Sequence, residues 1–116
     1  MSIACLFENL EKKNNSSVSE VNCQPRIFSH NGNGYDTKTA ISFKLGKEIN
    51  ATIKIYNAAG RLARVVKENE FFSHGTNVVH WDGRDNWGKY CASGLYIVTI
   101  ETEGKMANKT LMVLNE

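Results

Sequence analysis

Residues 81–88, with the sequence WDGRDNWG, constrain the fold of this chain more than any other segment. An aromatic residue ends the preceding alternating segment, and two aspartates and two glycines follow within eight positions. Aspartate side chains accept backbone N–H groups in turns, and glycine adopts positive φ without steric cost. Because the apolar residues 94–98 follow soon after, the segment predicts a tight loop between two β-strands.

Length and composition restrict the chain to one globular domain. It has 116 residues, of which 41% are hydrophobic and 22% charged, with nine glycines and one proline. The net charge of +2 is small, and basic residues alternate with apolar ones, which argues against a nucleic-acid partner. No apolar run approaches the roughly 20 residues that a membrane helix needs, and the start lacks the basic region of a signal peptide.

The first part of the sequence differs from the rest. Residues 1–22 are interpreted as a polar N-terminal tail or linker, and residues 23–116 as the folded domain. After Phe7 the sequence is polar and has no strand periodicity. Leu6 and Leu10 have helical spacing, but an isolated helix this short is marginal in water. We therefore expect this segment to act as a tether.

Short alternating or β-branched segments separated by turn residues follow from Pro25 onward. In one of them Ile41, Phe43 and Leu45 point to one face and the polar residues between them to the other, which is typical of a sheet with one solvated face. Seven strands are predicted, at residues 26–29, 39–45, 51–56, 61–67, 77–81, 95–103 and 106–114.

Two short turns predict hairpins. Residues 57–60, NAAG, fit a type I turn closed by Gly60 in the left-handed region, and residues 103–105 form a second glycine turn. Seven antiparallel strands without a long helical pattern predict an all-β fold, an immunoglobulin-like antiparallel β-sandwich. Its core would consist of Ile, Phe, Val and Leu side chains and Trp81.

The three cysteines, Cys5, Cys23 and Cys91, have neither zinc-site nor redox-motif spacing. The Cys…Trp…Cys spacing of antibody domains is also absent. A Cys23–Cys91 disulfide in an oxidising compartment remains open, although burial of Cys91 as a small apolar residue is the favoured interpretation.

Three motifs occur in an order that resembles the FlgD-type immunoglobulin-like domain, named for the flagellar hook-capping protein. They are IKIYNAAGR at residues 53–61, WDGRDNWG at 81–88 and SGLY at 93–96, and the resemblance extends over residues 25–114. The residues that carry this structural signature are Tyr56, Gly60, Trp81, Asp82, Gly83, Asp85, Gly88, Gly94 and Tyr96.

This resemblance implies a non-catalytic module at the C-terminus of a larger secreted bacterial protein, with a role in attachment, spacing or assembly. It implies an extracellular or cell-surface location, and protein partners or neighbouring domains, with a cell-surface glycan as another candidate. The C-terminal sorting domains of type IX secretion cargo are similar, but they commonly lack the WDG loop. A sorting domain is therefore the alternative, and a carbohydrate-binding accessory module is another.

The candidate chemical groups of the loop have structural explanations. Trp81 is expected to anchor the core, and Asp82 and Asp85 to accept backbone N–H groups. Two neighbouring carboxylates also raise the hypothesis of a small hydrolase or a metal site, but no histidine or third carboxylate joins them within the loop. We expect no enzymatic activity.

Trp87 departs from the family pattern, which has a small or polar residue before the glycine. It is a candidate recognition residue together with Tyr90, and Tyr35 would join them in a carbohydrate site. Packing of the Trp87 ring over a neighbouring strand is an equally open alternative.

Residues 29–37 resemble a segment that opens many related domains and whose acidic positions can suit Ca²⁺. The candidate ligands are Asn31, Asn33 and Asp36, which include only one carboxylate. Calcium sites generally need several anionic oxygens, so a plain turn is favoured, any affinity would be weak, and no cofactor is expected.

Overall fold

A computed structural model describes residues 18–31 and 34–114, and the regular structure within them is entirely β. The strands form two sheets, one of three strands in the order β1-β3-β6 and one of five in the order β2-β8-β7-β4-β5. The fold is an immunoglobulin-like β-sandwich, which confirms the predicted fold class. The strands are β1 (Val18–Gln24), β2 (Ile27–Phe28), β3 (Thr39–Leu45), β4 (Ile49–Asn57), β5 (Leu62–Phe72), β6 (Gly75–Trp81), β7 (Gly94–Thr102) and β8 (Lys105–Val113).

The two predicted hairpins are confirmed. β4 pairs with β5 and β7 pairs with β8, in both cases antiparallel. The short β2 lies within the strand predicted at residues 26–29, but it pairs with β8 in parallel, whereas the prediction had all strands antiparallel. In the part of the chain that is described, no helix is long or apolar enough to span a membrane.

The core lies between the two sheets and follows the predicted alternation. Ile41, Phe43 and Leu45 of β3 are at most 1% exposed, and they face similarly buried side chains of β4, β7 and β8. Each fully buried large apolar side chain stabilises the fold by roughly 1.5–3 kcal/mol. Phe28 and Tyr96 contact the Trp81 ring edge to face, at centroid distances of 5.6 and 5.7 Å.

The sandwich begins earlier than the sequence predicted. Residues 18–22, assigned to the tail, form most of β1, so that assignment was wrong for them. The strand is bulged where its register with β3 shifts, and Glu20 there has a φ of 49°. Val18 and Cys23 are both buried although they are five residues apart, a spacing that regular alternation cannot produce. Residues 1–17 lie outside the described residues.

Both described cysteines are thiols within the core. Cys23 is fully buried and Cys91 is 8% exposed, and neither forms a disulfide among the described residues. Burial raises the pKa of the Cys23 thiol to about 11 against the weaker opposing effects of Arg26 and Lys109. Cys23 is therefore protonated at neutral pH.

Candidate functional site

The loop between β6 and β7 is fixed to the core by its first residues. Trp81 is 2% exposed, and its indole N–H donates to the carbonyl oxygen of Arg84 at 2.9 Å. Gly83 has a φ of +86° and is buried so closely that a Cβ there would lie 3.3 Å from the Phe28 ring. The backbone N–H of Cys91 donates to the Gly83 carbonyl at 2.8 Å. The loop is thus held at both ends.

Asp82 holds the first bend of this loop. Its Oδ1 accepts the backbone N–H of Arg84 at 3.1 Å, and its Oδ2 lies 3.6 Å from the Arg84 guanidinium. Both side chains are about half exposed, so the ion pair itself contributes little. Asp82 is engaged as a turn acceptor.

Asp85 organises the second bend, which we call the Asp85 turn (residues 85–89). Its Oδ1 accepts the backbone N–H groups of Trp87 at 2.9 Å and Lys89 at 3.0 Å. The N–H of Gly88 donates to the Asp85 carbonyl at 3.1 Å, and the N–H of Asp85 donates to the Lys89 carbonyl at 2.8 Å. Gly88 completes the turn with a φ of +86°.

The β4–β5 hairpin contains the same arrangement, which we call the Asn57 turn (residues 57–61). Asn57 Oδ1 accepts the N–H groups of Ala59 at 3.0 Å and Arg61 at 2.9 Å. Gly60 donates to the Asn57 carbonyl and Asn57 to the Arg61 carbonyl, both at 2.9 Å, and the φ of Gly60 is +85°. Both turns border a groove of about 400 Å³ at one end of the sandwich.

Asn86 connects the Asp85 turn to the edge strand β5. Its backbone N–H donates to the Ala63 carbonyl at 3.0 Å, and its Oδ1 accepts the N–H of Val65 at 2.9 Å. The guanidinium of Arg64 adds a bond to the Asp85 carbonyl at 3.2 Å. Unpaired backbone N–H and C=O groups at a sheet edge can pair with strands of other molecules. Because Asn86 bonds to the Ala63 carbonyl and the Val65 N–H, the loop covers the beginning of the β5 edge. Sequence reasoning missed Asn86 because no local pattern reveals its partners on β5.

Trp87 projects from the Asp85 turn into solvent. Its side chain is 81% exposed, and it borders the groove between the two turns together with Arg61, Leu62 and Lys89. The ring therefore does not pack over a neighbouring strand.

Tyr90, the other candidate recognition residue, is engaged by the protein. Its ring stacks on that of His30 at a centroid distance of 4.1 Å, and the Arg84 guanidinium lies 4.5 Å from the same centroid. Arg84 also donates to the Tyr90 hydroxyl at 2.8 Å. Tyr35 is 45% exposed and does not border this groove. The structure does not bring the three aromatic residues together as one exposed platform.

The last residues of the structural signature lie at the start of β7, which follows the loop. Gly94 begins the strand with a φ of +154°, and the buried Tyr96 donates its hydroxyl to the Ala92 carbonyl at 2.7 Å. Burial, with a smaller contribution from Cys91, raises the pKa of Tyr96 to about 12. Burial also raises the pKa of Cys91, and the charge of Asp85 adds to this effect. Both groups are protonated at neutral pH.

Tyr56, half-buried on β4, pairs with Ile97 of the same strand as Tyr96.

The candidate calcium ligands lie in the bend after β2. Asn31 Oδ1 accepts the hydroxyl of Ser29, and the Asp36 carbonyl accepts the backbone N–H of Ser29 at 2.9 Å. The Asp36 side chain is exposed, and Asn33 lies outside the described residues. Within residues 18–31 and 34–114, no three His, Cys, Asp or Glu residues cluster in a way that could hold a metal ion.

Comparison with known proteins supports the fold and the signature. A family model described as the FlgD Ig-like domain matches residues 29–105, which include both turns. No curated protein matches the chain.

Two similar solved structures come from Porphyromonas gingivalis. One is PorZ, described as an essential bacterial surface component of the type IX secretion system, with 23% identity and a TM-score of 0.57 over 81% of this chain. The other is dimeric latent PorU, with 17% identity and a TM-score of 0.53 over 69% of this chain. The matched parts are only 11% and 8% of those proteins, and these likenesses show the fold alone.

Proposed function

The chain belongs to the FlgD Ig-like domain family, and from that premise we propose that it is a non-catalytic attachment or assembly module of an exported bacterial protein, binding its partner through Trp87. Its matches to 11% and 8% of much larger proteins support the role of a module within a longer polypeptide. The likeness to PorZ, a bacterial surface component, supports a cell-surface location for this chain.

The observation that carries this proposal is the equivalence of the two turns. The position of Trp87 in the Asp85 turn is occupied by Ala59 in the Asn57 turn, and the hydrogen bonds and glycine φ values agree. The turn therefore does not require a large side chain at this position. Trp87 is explained by what it presents to solvent rather than by what it does for the fold.

The surroundings of Trp87 suit a recognition contact. Exposed tryptophans frequently become the central anchors of interfaces, and a contact held rigidly before binding loses less entropy when the partner arrives. The Asp85 carboxylate accepts the backbone N–H of Trp87, and the Asp85 carbonyl accepts the backbone N–H of Gly88. The ring is thus displayed from a preformed loop.

Cosedimentation with bacterial envelopes tests this proposal. The purified full chain is mixed with envelope fragments from a bacterium that encodes it, and the bound fraction is measured after centrifugation. We expect Trp87→Ala to lower binding at least about tenfold. Phe71→Ala is the matched control, because Phe71 is also exposed, at 64%, but lies at the far end of β5. Equal losses in both variants would contradict the role of Trp87.

The same assay separates a protein partner from a glycan. Protease treatment of the envelopes should abolish binding, whereas periodate oxidation of glycans should leave it intact. The opposite pattern would favour the carbohydrate-binding alternative. The engagement of Tyr90 by His30 and Arg84 favours a protein partner, since glycan sites commonly present open aromatic faces.

A C-terminal sorting domain for type IX-like secretion is the second candidate, favoured by the fold likeness to PorZ and PorU. The chain is fused to the C-terminus of a periplasmic reporter in a bacterium that has this secretion system. Delivery of the reporter to the surface would support sorting. Retention in the periplasm would contradict it.

A non-catalytic role is consistent with the engagement of both loop aspartates as turn acceptors. The competing hydrolase hypothesis requires turnover by the isolated chain that disappears when Asp82 and Asp85 are both replaced by Asn. We expect no turnover in either protein. We also propose that the chain needs no cofactor, and titration calorimetry with Ca²⁺ should show no saturable heat at micromolar concentrations.

A further inference from the structure

Among the residues that the structure describes, the two sheets end in four edge strands, and three of these discourage pairing with another strand. β1 is bulged, with Glu20 at positive φ, and β2 has only two residues. β5 carries the charged Lys67 and Glu68 and has a positive φ at Asn69. Bulges, charges and short lengths are the usual means by which a sheet edge avoids adding a strand. The remaining edge strand is β6.

β6 has none of these features. Its seven residues, GTNVVHW, include no proline, lysine, arginine or carboxylate, and its register with β3 runs unshifted from Gly75 to Trp81. Val78 on its outer face is 53% exposed. The backbone groups of residues 76–81 that point away from β3 have no bonding partner within the described part of the chain. A straight row of such N–H and C=O groups is a template for one further strand.

The space beside this edge is a groove between the two sheets. β1 packs against β8, the second strand of the five-stranded sheet. Strands in aligned sheets have the same spacing, about 4.8 Å, which places β6 over β4 and leaves β5 one strand beyond it. The groove has a volume of about 250 Å³ and is lined by Lys38, Arg64, Val66, His80, Trp81 and Asp82. A strand added to β6 would therefore lie over β5.

This arrangement favours a single strand over a second sandwich. Val66 of β5 is half-buried and packs against the core, and an added strand would cover the part of it that is exposed. If two copies paired through β6, the projecting β5 strands of both copies would meet in the same layer and collide. The groove accordingly fits an extended segment of a different protein.

The charges along the groove indicate the composition of that segment. Lys38 is exposed, and the Arg64 guanidinium donates to the Asp85 carbonyl at 3.2 Å. Neither Lys38 nor Arg64 forms an ion pair with a carboxylate of the described residues, whereas Asp82 is paired with Arg84. The positive charge in the groove therefore exceeds the negative charge, and an acidic segment is complementary to it.

We propose that β6 accepts an extended acidic segment of a partner protein as an added antiparallel strand. Main-chain hydrogen bonds to the edge hold the segment, and its alternate side chains provide selectivity. An antiparallel strand begins beside Trp81, whose register partner Thr39 follows Lys38, so carboxylates near the N-terminus of the segment meet Lys38. The groove beside Trp87 shares no lining residue with this one, so the proposal goes beyond the function proposed for Trp87 and does not rest on it.

A synthetic peptide tests this proposal with the full chain. The probe is a capped peptide as long as β6, with valine at alternate positions, threonine between them and two glutamates at its N-terminal end. We expect saturable binding with a Kd below about 1 mM, measured by amide chemical shifts. Hydrogen exchange should slow at the outward-pointing amides of residues 76–81. The same peptide with its edge-facing amides N-methylated keeps every side chain and should bind at least about tenfold more weakly.

Variants of the chain test the charge and the independence from Trp87. Lys38→Glu should weaken binding at least about threefold, whereas Lys47→Glu, the same change at an exposed lysine beyond the other end of β3, should not. Trp87→Ala should bind the peptide unchanged, so this proposal and the envelope-binding role of Trp87 can fail separately.

Three results would overturn the proposal. The first is a peptide that does not bind, and the second is equal binding by the N-methylated peptide. The third is slow exchange at the outward amides of β6 before any peptide is added. Slow exchange in dilute solution would mean that the chain itself occupies the edge, and slow exchange only at high concentration would mean that a second copy does.

Discussion

The Asn57 turn and the Asp85 turn are two copies of one structure with different residues in the middle. Each is closed by an Asn or Asp side chain that accepts two backbone N–H groups and by a glycine at a φ near +85°. The first presents Ala58 and Ala59, which are small and exposed. The second presents Asn86, which closes the edge of β5, and Trp87, which is open to solvent.

This difference distinguishes the residues that form the turn from the residues that the turn exposes to its surroundings. The acceptor and the glycine determine the backbone, and the two positions between them are free to vary without altering it. At the Asn57 turn the structure shows no role for the side chains at those two positions. At the Asp85 turn one of them stabilises the sheet, and the other is the candidate recognition residue.

The largest expected effect concerns the attachment of the Asp85 turn to the core. Trp81→Ala should lower the free energy of unfolding by about 3–5 kcal/mol, because it leaves a cavity beside Phe28 and Tyr96. Urea denaturation measures the loss. If this variant does not fold, Trp81→Phe should lower the free energy of unfolding by about 1–3 kcal/mol, since the Arg84 carbonyl loses the indole donor at 2.9 Å and keeps only the Arg64 guanidinium at 3.5 Å. A loss below about 1 kcal/mol for the alanine variant would refute the anchoring role.

Replacing the closing glycines tests whether the two turns are equivalent. Gly60→Val and Gly88→Val should each lower the unfolding free energy by about 1–3 kcal/mol, because a β-branched residue is strained at positive φ. An added Cβ meets no atom within 4 Å at either site, so backbone strain alone produces both losses. Thermal denaturation should give values that agree within about 0.5 kcal/mol. A much larger loss at one site would break the equivalence.

The side-chain acceptors should contribute less. Asn57→Ala and Asp85→Ala should each cost about 0.5–2 kcal/mol through loss of two backbone hydrogen bonds, as measured by urea denaturation. The exchanges Asn57→Asp and Asp85→Asn keep the accepting oxygen and serve as controls, with changes within about 0.5 kcal/mol. Exchanges as damaging as the alanine variants would indicate that the charge, rather than the acceptor, matters.

Asn86 distinguishes the two turns by a smaller amount. Asn86→Ala should accelerate hydrogen exchange at the Val65 amide and cost about 0.5–1.5 kcal/mol, because that N–H loses its acceptor. The exposed Asn108 on β8 provides a control, and Asn108→Ala should leave Val65 protected. Unchanged exchange at Val65 in the Asn86 variant would contradict closure of the β5 edge by this loop.

The sequence allowed most of the sandwich to be predicted, because its core strands alternate regularly. β3 places Ile41, Phe43 and Leu45 inward without interruption, and the two hairpins are closed by local glycine turns. β1 escaped prediction since its bulge interrupts the alternation between Val18 and Cys23. The parallel pairing of β2 with β8 joins residues more than eighty positions apart, which no local pattern encodes.

The loop was predictable in its turns but not in its long-range contacts. Asp85 and Gly88 have local partners, so their spacing indicated the bend. Asn86 reaches β5, and Tyr90 is held by His30 from a distant segment, so these relationships depend on the tertiary fold. The exposure of Trp87 likewise depended on where β5 lies relative to the loop.

The most direct test of the central claim measures stability and envelope binding of the Trp87→Ala variant together. Ala59, at the equivalent position of the other turn, shows that the turn forms without a large side chain there. We predict an unfolding free energy within about 0.5 kcal/mol of the unmodified chain and envelope binding weakened at least about tenfold. Binding that stays unchanged while stability falls by about 2 kcal/mol would show that Trp87 serves the fold and would contradict the account.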